Sequence, residues 1–255
     1  MKGDEPIYIK VYDHTQKRID SRPICELVKE MVGTQIPISF EIEALKAQTI
    51  IARTWIIRRC RHFGGTGCKK HKGADLCTDG HCGTWKSKEE LKKEWKENFE
   101  KNWEKLSRAE EETKDKIITF NNKPIDPKFH STCGGSTENS EQVQDNKVLY
   151  LRKVLCDYCK ESPYYRGTQE FTLEEIEERL NIKFLKATPT TDTEVESIFE
   201  DVERDEDGRI VSMKIGGKKF KGIEIMKYLG LNSTRFGWQP TGIKIETQGK
   251  GDGMG

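Results

Sequence analysis

No apolar run in the 255 residues approaches the roughly 20 residues a membrane-spanning helix needs, so no segment reads as a bilayer span. A signal peptide is missing too. MKGDEPIYIKVYD passes straight into an alternating strand pattern, as an enzyme domain without its anchor or a cytosolic protein would. Neither sign of charge is in excess, with 44 Lys and Arg against 43 Asp and Glu. That balance removes the electrostatic case for a nucleic acid or an anionic membrane surface as partner. No His-Glu-x-x-His helix occurs, which disfavours a metalloprotease. No internal repeat is visible, and histidine is scarce, with five in all.

The scarcity makes one cluster conspicuous. Cys68, His71, Cys77, His81 and Cys82 fall within fifteen residues of Gly- and Asp-rich chain. Thiolate and imidazole are the ligand types zinc prefers, and four of them suffice for a tetrahedral site. The expected ligand set is His71, Cys77, His81 and Cys82, with Cys68 in reserve. Four protein ligands leave no open position for water, and the expected cofactor is a structural zinc. The spacing is not that of a zinc ribbon, so a surface loop with incidental thiols or one disulfide is the alternative.

Periodicity organises the rest of the chain. Residues 7–12 alternate as a strand, and a short helix is expected from about Pro23 to Val32. Ser39 is the expected cap of a helix from Phe40 to Arg61, with Glu41 and Glu43 in its first turn. Ile42, Leu45, Thr49, Ala52 and Ile56 form one stripe and Ala44, Ala47, Ile51 and Trp55 another, so this helix should be buried between other elements. Ser87-Lys-Glu-Glu90 and Thr172-Leu-Glu-Glu175 read as capping boxes. The first opens a helix with Leu91, Trp95, Phe99 and Leu106 along its core face. Lys116–Pro124 reads as a strand with a turn at Asn121-Asn122. Residues 129–140, rich in Gly and hydroxyls, read as a loop. Cys156-Asp-Tyr-Cys159 reads as a disulfide or free thiols ahead of a second metal site. A linker is expected at 183–194. Strands at 195–202, 209–215 and 218–220, a helix at 222–229 and a last strand at 242–247 follow. The fold class is α+β: a helical lobe, 1–182, around a central buried helix, and a smaller antiparallel-strand lobe, 183–255, with one continuous domain as the alternative.

Glu43-Ala-Leu-Lys-Ala-Gln48 continuing to Ala52-Arg-Thr54, His130-Ser-Thr-Cys-Gly-Gly135 and Thr137-Glu-Asn-Ser140 closely resemble the stage II sporulation protein D family. The Cys/His loop, Tyr150-Leu-Arg152 and Leu229-Gly-Leu-Asn-Ser-Thr234 are similar to that family as well. The resemblance covers nearly the whole chain. It implies a lytic transglycosylase of peptidoglycan, anchored by one N-terminal membrane helix in the mother cell and acting outside the cytoplasm during engulfment. Its implied partners are the glycan strands, a cell-wall amidase that strips their stem peptides, and a membrane component of the engulfment machinery. One carboxylic acid protonates the glycosidic oxygen and then accepts the MurNAc C6 hydroxyl proton as that oxygen closes on C1. The two-carboxylate pair of ordinary glycosidases is not required.

The resemblance also exposes a departure. The family's Glu-Met-Pro, which carries the acid, is matched here by Gln35-Ile36-Pro37. A Gln side chain copies the shape of Glu but exchanges no proton at neutral pH. Either a deliberate Glu-to-Gln replacement stands here, which the isosteric swap favours, or the member is naturally inactive. Glu41 or Glu43 could substitute, but the helix dipole at that end favours their ionised forms, the wrong direction for an acid. The end, Gly253-Met-Gly255, resembles the start of a glycine-rich family segment that is interrupted here.

The groove implied by the family should be walled by the central helix and the 130–138 loop. Its expected sugar-binding residues are Lys46, Gln48, Arg53, Ser131, Thr132, Cys133, Gly134, Gly135 and Glu138. For Lys46 and Arg53 the alternative is a solvated or salt-bridged face shared with Glu43. Cys133 with His130 hints at a Cys–His hydrolase, but three residues of loop separate them and no third group orients the histidine.

Overall fold

The computed structural model describes residues 6–83, 85–144, 146–184, 198–239 and 243–250. The chain is α+β and divides into two compact units, Met1–Pro127 and Lys128–Gly255.

In the first unit, strand β1 (Tyr8–Asp13) turns its alternate residues Ile9 and Val11 inward. It pairs antiparallel with β2 (Arg18–Pro23) on one edge and parallel with the two-residue β3 (Leu76–Cys77) on the other. Helix α1 (Ile24–Gln35) follows directly, with Pro23 at its N-cap; proline suits this place because a helix start leaves its N–H groups without partners. Helix α2 (Ile42–Arg59) is the long one. Its Leu45, Ala52, Ile56 and Ile57 join Leu27, Val28 and Met31 of α1 in the core. Ser39 does not cap it. Glu41 holds that position without a side-chain cap bond, because Ser39 stands two residues too early for its hydroxyl to reach the first turn's amides.

The helix expected from Ser87 through Leu106 is broken in two. Ser87 and Glu90 form the capping box of α3 (Lys88–Trp95). At Lys96 the backbone takes φ 49°, and after a turn of tighter helix the chain resumes as α4 (Phe99–Glu112). Leu91, Phe99 and Leu106 are still buried, so the stripe survives the break. Strands β4 (Thr119–Phe120) and β5 (Lys123–Pro124) close a hairpin through Asn121 and Asn122, both left-handed, the conformation two-residue hairpin turns require.

The second unit carries two antiparallel sheets. Helix α5 (Ser140–Val143) is a single turn. β6 (Arg166–Phe171), β10 (Phe236–Gln239) and β11 (Ile243–Gln248) form one sheet in the order β10-β11-β6; β7 (Phe199–Arg204), β8 (Ile210–Ile215) and β9 (Lys218–Lys221) form the other. Helices α6 (Leu173–Leu180), capped by Thr172 and Glu175, and α7 (Gly222–Leu229) complete it. Ile176, Leu180, Met213, Ile215, Ile225, Leu229 and Ile245 make its core. Gly222 is obligatory, because a Cβ there would stand 1.8 Å from the Ile210 carbonyl oxygen.

The boundary expected at 182/183 therefore moves to 127/128. The reason is packing: β6 and α6 lie before 183, yet Phe171, Ile176 and Leu180 share one core with β8, α7 and β11. The linker expected at 183–194 lies, from residue 185 on, outside the described residues, as does the glycine-rich end at 251–255.

Candidate functional site

Gln35 is the last residue of α1 and is half-buried. Its side-chain oxygen accepts a 2.7 Å hydrogen bond from Gln48 Nε2, which α2 presents from a buried position. The neighbouring Thr34 hydroxyl donates back to the Glu30 carbonyl and accepts from the Lys86 amide, which steadies the end of α1. An open cleft of about 1010 Å³ in the same unit is lined by Ile38, Ile42, Trp95, Asn98, Asn102 and Arg108, among others, and Gln35 is not among its lining residues. Lys105 of α4 donates to the carbonyls of Ile38 and Phe40 and so fixes the loop that forms one wall.

Lys46 and Arg53 have other work. The Lys46 ammonium is bound by the carboxylates of Glu43 and Glu112, the salt-bridged alternative. Arg53 is buried and spends its guanidinium on α4's end: Nη1 donates to the carbonyls of Thr113 and Lys116 at 2.8 and 3.0 Å, and Nη2 meets Glu110 Oε1 at 3.0 Å. A guanidinium satisfies such orphan carbonyls well. In this structure it braces the end of α4. Glu41 and Glu43 are exposed at the N-terminal end of α2.

The Cys/His loop folds into a compact donor group. The ligand atoms of Cys68, Cys77, His81 and Cys82 lie within 4.8 Å of one another. His81 Nδ1 stands 3.5 Å from Cys68 Sγ, 3.8 Å from Cys77 Sγ and 3.5 Å from Cys82 Sγ. A tetrahedral zinc with bonds of about 2.0–2.3 Å would space its ligands by roughly 3.5 Å, so these residues fit the ion. Cys68 takes the place expected of His71. The His71 ring stacks on Tyr12 at 3.7 Å and directs Nε2 to Asp79 at 2.9 Å. Asp79 in turn accepts from the Cys77 thiol and the His81 amide, so His71 and Asp79 orient the donors from outside. Burial pushes the Cys68 thiol up, but N–H groups of His71 and Lys70 and the adjacent thiols outweigh it and leave it below the ordinary value. Burial pushes Cys77 up, and its bond to Asp79 adds to the effect.

The 130–138 segment belongs to the second unit. Ser131 is exposed; Thr132 is buried, with its hydroxyl 2.7 Å from that of Ser162 and its backbone bridged to Lys250. The Gly134 carbonyl accepts from Gln248 Nε2 and from Arg235, and a Cβ on Gly134 would meet the Gln248 carbonyl at 2.8 Å. Gly135 is left-handed, with its carbonyl accepting from the Cys156 amide. Glu138 is not a surface ligand. It is buried against the equally buried Arg209, which also donates to the Ser136 carbonyl at 2.9 Å. Burial holds Glu138 above the ordinary carboxylate value even with Arg209 beside it. Cys133 is buried, and burial pushes its thiol up to about 12, which works against a nucleophilic role. Sequence reasoning missed that Cys133 meets Cys156 and Cys159; twenty-three residues separate the first two, and no spacing rule joins them.

The family model described as Stage II sporulation protein matches residues 12–120, a span holding Gln35, α2 and the Cys/His loop. More specifically, the chain belongs to the stage II sporulation protein D family. It is 34% identical over 252 residues to Stage II sporulation protein D of Bacillus subtilis (strain 168), covering 98% of this chain and 71% of that protein. With Stage II sporulation protein D of Bacillus amyloliquefaciens it is 32% identical over 254 residues, 99% of this chain and 71% of the relative. A 124-residue stretch, 49% of this chain, is 30% identical to 14% of the length of the Amidase enhancer of Bacillus subtilis (strain 168).

Proposed function

We propose that this chain is a lytic-transglycosylase scaffold that binds peptide-free peptidoglycan strands and is held inactive by Gln35. The observation that supports it most is the setting of residue 35. It is half-buried and ends α1, where the negative end of the helix dipole disfavours a carboxylate. A Glu there would have its pKa raised, as a general acid needs. The Gln48 amide donates to the oxygen of residue 35 and would orient a carboxyl group the same way. Glu41 and Glu43 sit at the opposite pole, the positive end of α2, and are exposed.

With Glu at 35, the carboxylic acid would protonate the glycosidic oxygen between MurNAc and GlcNAc. The resulting carboxylate would take the proton of the MurNAc C6 hydroxyl as that oxygen attacks C1, giving a 1,6-anhydro end. Trp95, Asn98 and Asn102 in the cleft that begins at Ile38 offer an aromatic face and amides suited to N-acetylated sugars. Cys68, Cys77, His81 and Cys82 would hold a zinc that cross-links their loop when bound. The site of action is extracytoplasmic, from an anchor in the mother-cell membrane. The expected partners are an amidase that strips the strands and a membrane component of the engulfment machinery, and the similarity to the Amidase enhancer of Bacillus subtilis supports a link to amidases.

Replacing Gln35→Glu and digesting peptide-free glycan tests this. New 1,6-anhydro ends are expected from the variant and none from the parent, with both binding the strands. A second reading, a glycan-binding scaffold without chemistry, rests on Gln35 itself; binding without turnover in the Glu variant would establish it and reject the first.

A further inference from the structure

Cys133, Cys156 and Cys159 bring their sulfur atoms within 4.8 Å of one another in the second unit. Two loops are zipped together to do so. Ser136 bridges Leu155, the Cys156 amide donates to the Gly135 carbonyl at 2.9 Å, and the Thr137 amide donates to the Val154 carbonyl at 2.9 Å. The turn after the Cys156-x-x-Cys159 pair is closed by the Ser162 amide on the Cys159 carbonyl, and the Ser162 hydroxyl meets that of Thr132.

Backbone N–H groups lie beside two of these sulfurs, although burial still holds the Cys133 thiol above its ordinary value. N–H groups of Tyr158 and Cys159, two and three residues on, point at the Cys156 sulfur, and that of Gly135 points at Cys133. Cys68 receives N–H groups from Lys70 and His71 at the same offsets. Such donors share the charge of metal-bound sulfur and fix its direction. A disulfide would use two of the three thiols and leave the third in the same small space, whereas a thiophilic cation uses all three.

We propose that Cys133, Cys156 and Cys159 form a second metal site, a three-thiolate site for a thiophilic divalent cation of the zinc class. The ligand type selects a soft or borderline ion over magnesium or calcium. Binding replaces the three thiol protons by one cation, with the protons passing to solvent and no change of oxidation state. Three protein sulfurs leave a fourth position for water or another small donor. The site ties the 131–136 loop to the 154–159 loop, so the hydroxyl- and glycine-rich segment is held by a cross-link rather than by hydrogen bonds alone.

The test is metal counting on the full chain, loaded with zinc alone under a thiol reductant and read by native mass spectrometry. Cys159→Ser and Cys156→Ser alter half-buried positions and should each lose about one zinc per chain relative to the parent. Cys133→Ser, at a buried position, should lose the same ion. Cobalt loaded in place of zinc should show sulfur-to-metal charge-transfer absorption that falls in each variant. Because the readout is the difference from the parent, it does not depend on whether the Cys68 loop binds metal; Cys82→Ser reports on that loop separately. Zinc content and cobalt absorption unchanged in folded Cys156→Ser and Cys159→Ser would overturn the proposal. So would a parent that lacks two hydrogens in mass after reduction and yields a disulfide-linked peptide from these cysteines.

Discussion

Each unit gathers three cysteines, yet the two gatherings differ in how they are built and in what surrounds them. Cys68, Cys77 and Cys82 come from one short stretch, share the main apolar core with Ile9, Leu76 and Ile56, and have His81 among them. Cys156 and Cys159 stand half-exposed, and only Cys133 is buried; none belongs to the core of its unit. Loss of a ligand in the first should therefore remove both a cross-link and core packing, whereas loss in the second should loosen only two loops. With zinc present, Cys77→Ser is expected to destabilise the first unit by several kcal/mol, since a polar hydroxyl then replaces a sulfur in packed surroundings and the ion leaves. Hydrogen exchange would show it as lost protection across α1, α2 and β1. Cys156→Ser should leave the amides of β8, α7 and β11 protected. Equal loss in both units would erase the distinction between a core-embedded and a loop-binding cluster.

The contrast also explains what the sequence could reveal. A local cluster announces itself by density, so the 68–82 loop was legible. Which of its five donors converge was not, because Cys68 is brought in by its turn and by the bond from its amide to the Ala74 carbonyl. Sequence spacing does not encode that closure. The Cys133 group needed the Ser136–Leu155 bridge, a tertiary contact with no local signal. Elements followed the same rule. The capping boxes at Ser87 and Thr172 are local chemistry and were read correctly. Strand β6 was missed because its inward positions are Gly167, Gln169 and Phe171, so its alternation carries almost no hydropathy. β2 was missed for a similar reason, being largely exposed on a sheet edge. That Arg53 and Glu138 pair with Glu110 and Arg209 was not legible either, because a charged residue's partner is invisible until the chain has folded.

Those two buried charges give a second comparison. Arg53 with Glu110 in the first unit and Arg209 with Glu138 in the second are both nearly solvent-free pairs. Breaking a buried pair by removing one partner costs about 3–5 kcal/mol when the other is left uncompensated. Glu138→Ala should approach that range, because Arg209 then keeps only one carbonyl at 2.9 Å and two hydroxyls at 3.3 Å. Glu110→Ala should cost less, about 1–3 kcal/mol, since Arg53 retains the carbonyls of Thr113 and Lys116. Denaturant unfolding monitored separately in each unit measures both values. A larger loss for Glu110→Ala would show that the carboxylate, not the helix-end carbonyls, is what holds Arg53.

Acid should separate the units least. Glu112 is drawn down to about 2, first by Lys46 and then by Arg108, and Glu141 to about 2, chiefly by Arg152. Both carboxylates ionise more readily folded than unfolded, so the stability they lend is complete above the ordinary value of 4.5 and is lost as pH falls towards 2. Both are solvent-facing, which keeps the effect small and sensitive to salt. The geometry differs, however. Glu141 and Arg152 form two parallel 2.7 Å bonds within one loop region, whereas Glu112 of α4 reaches Lys46 of α2. Protonating Glu112 should therefore weaken protection along the α2–α4 contact, and protonating Glu141 only the 140–152 segment. Carboxyl NMR titration paired with hydrogen exchange between pH about 4.5 and about 2 resolves the two. Glu112→Gln should abolish the first response and leave the second, because an exposed ion pair acts only on the elements it joins.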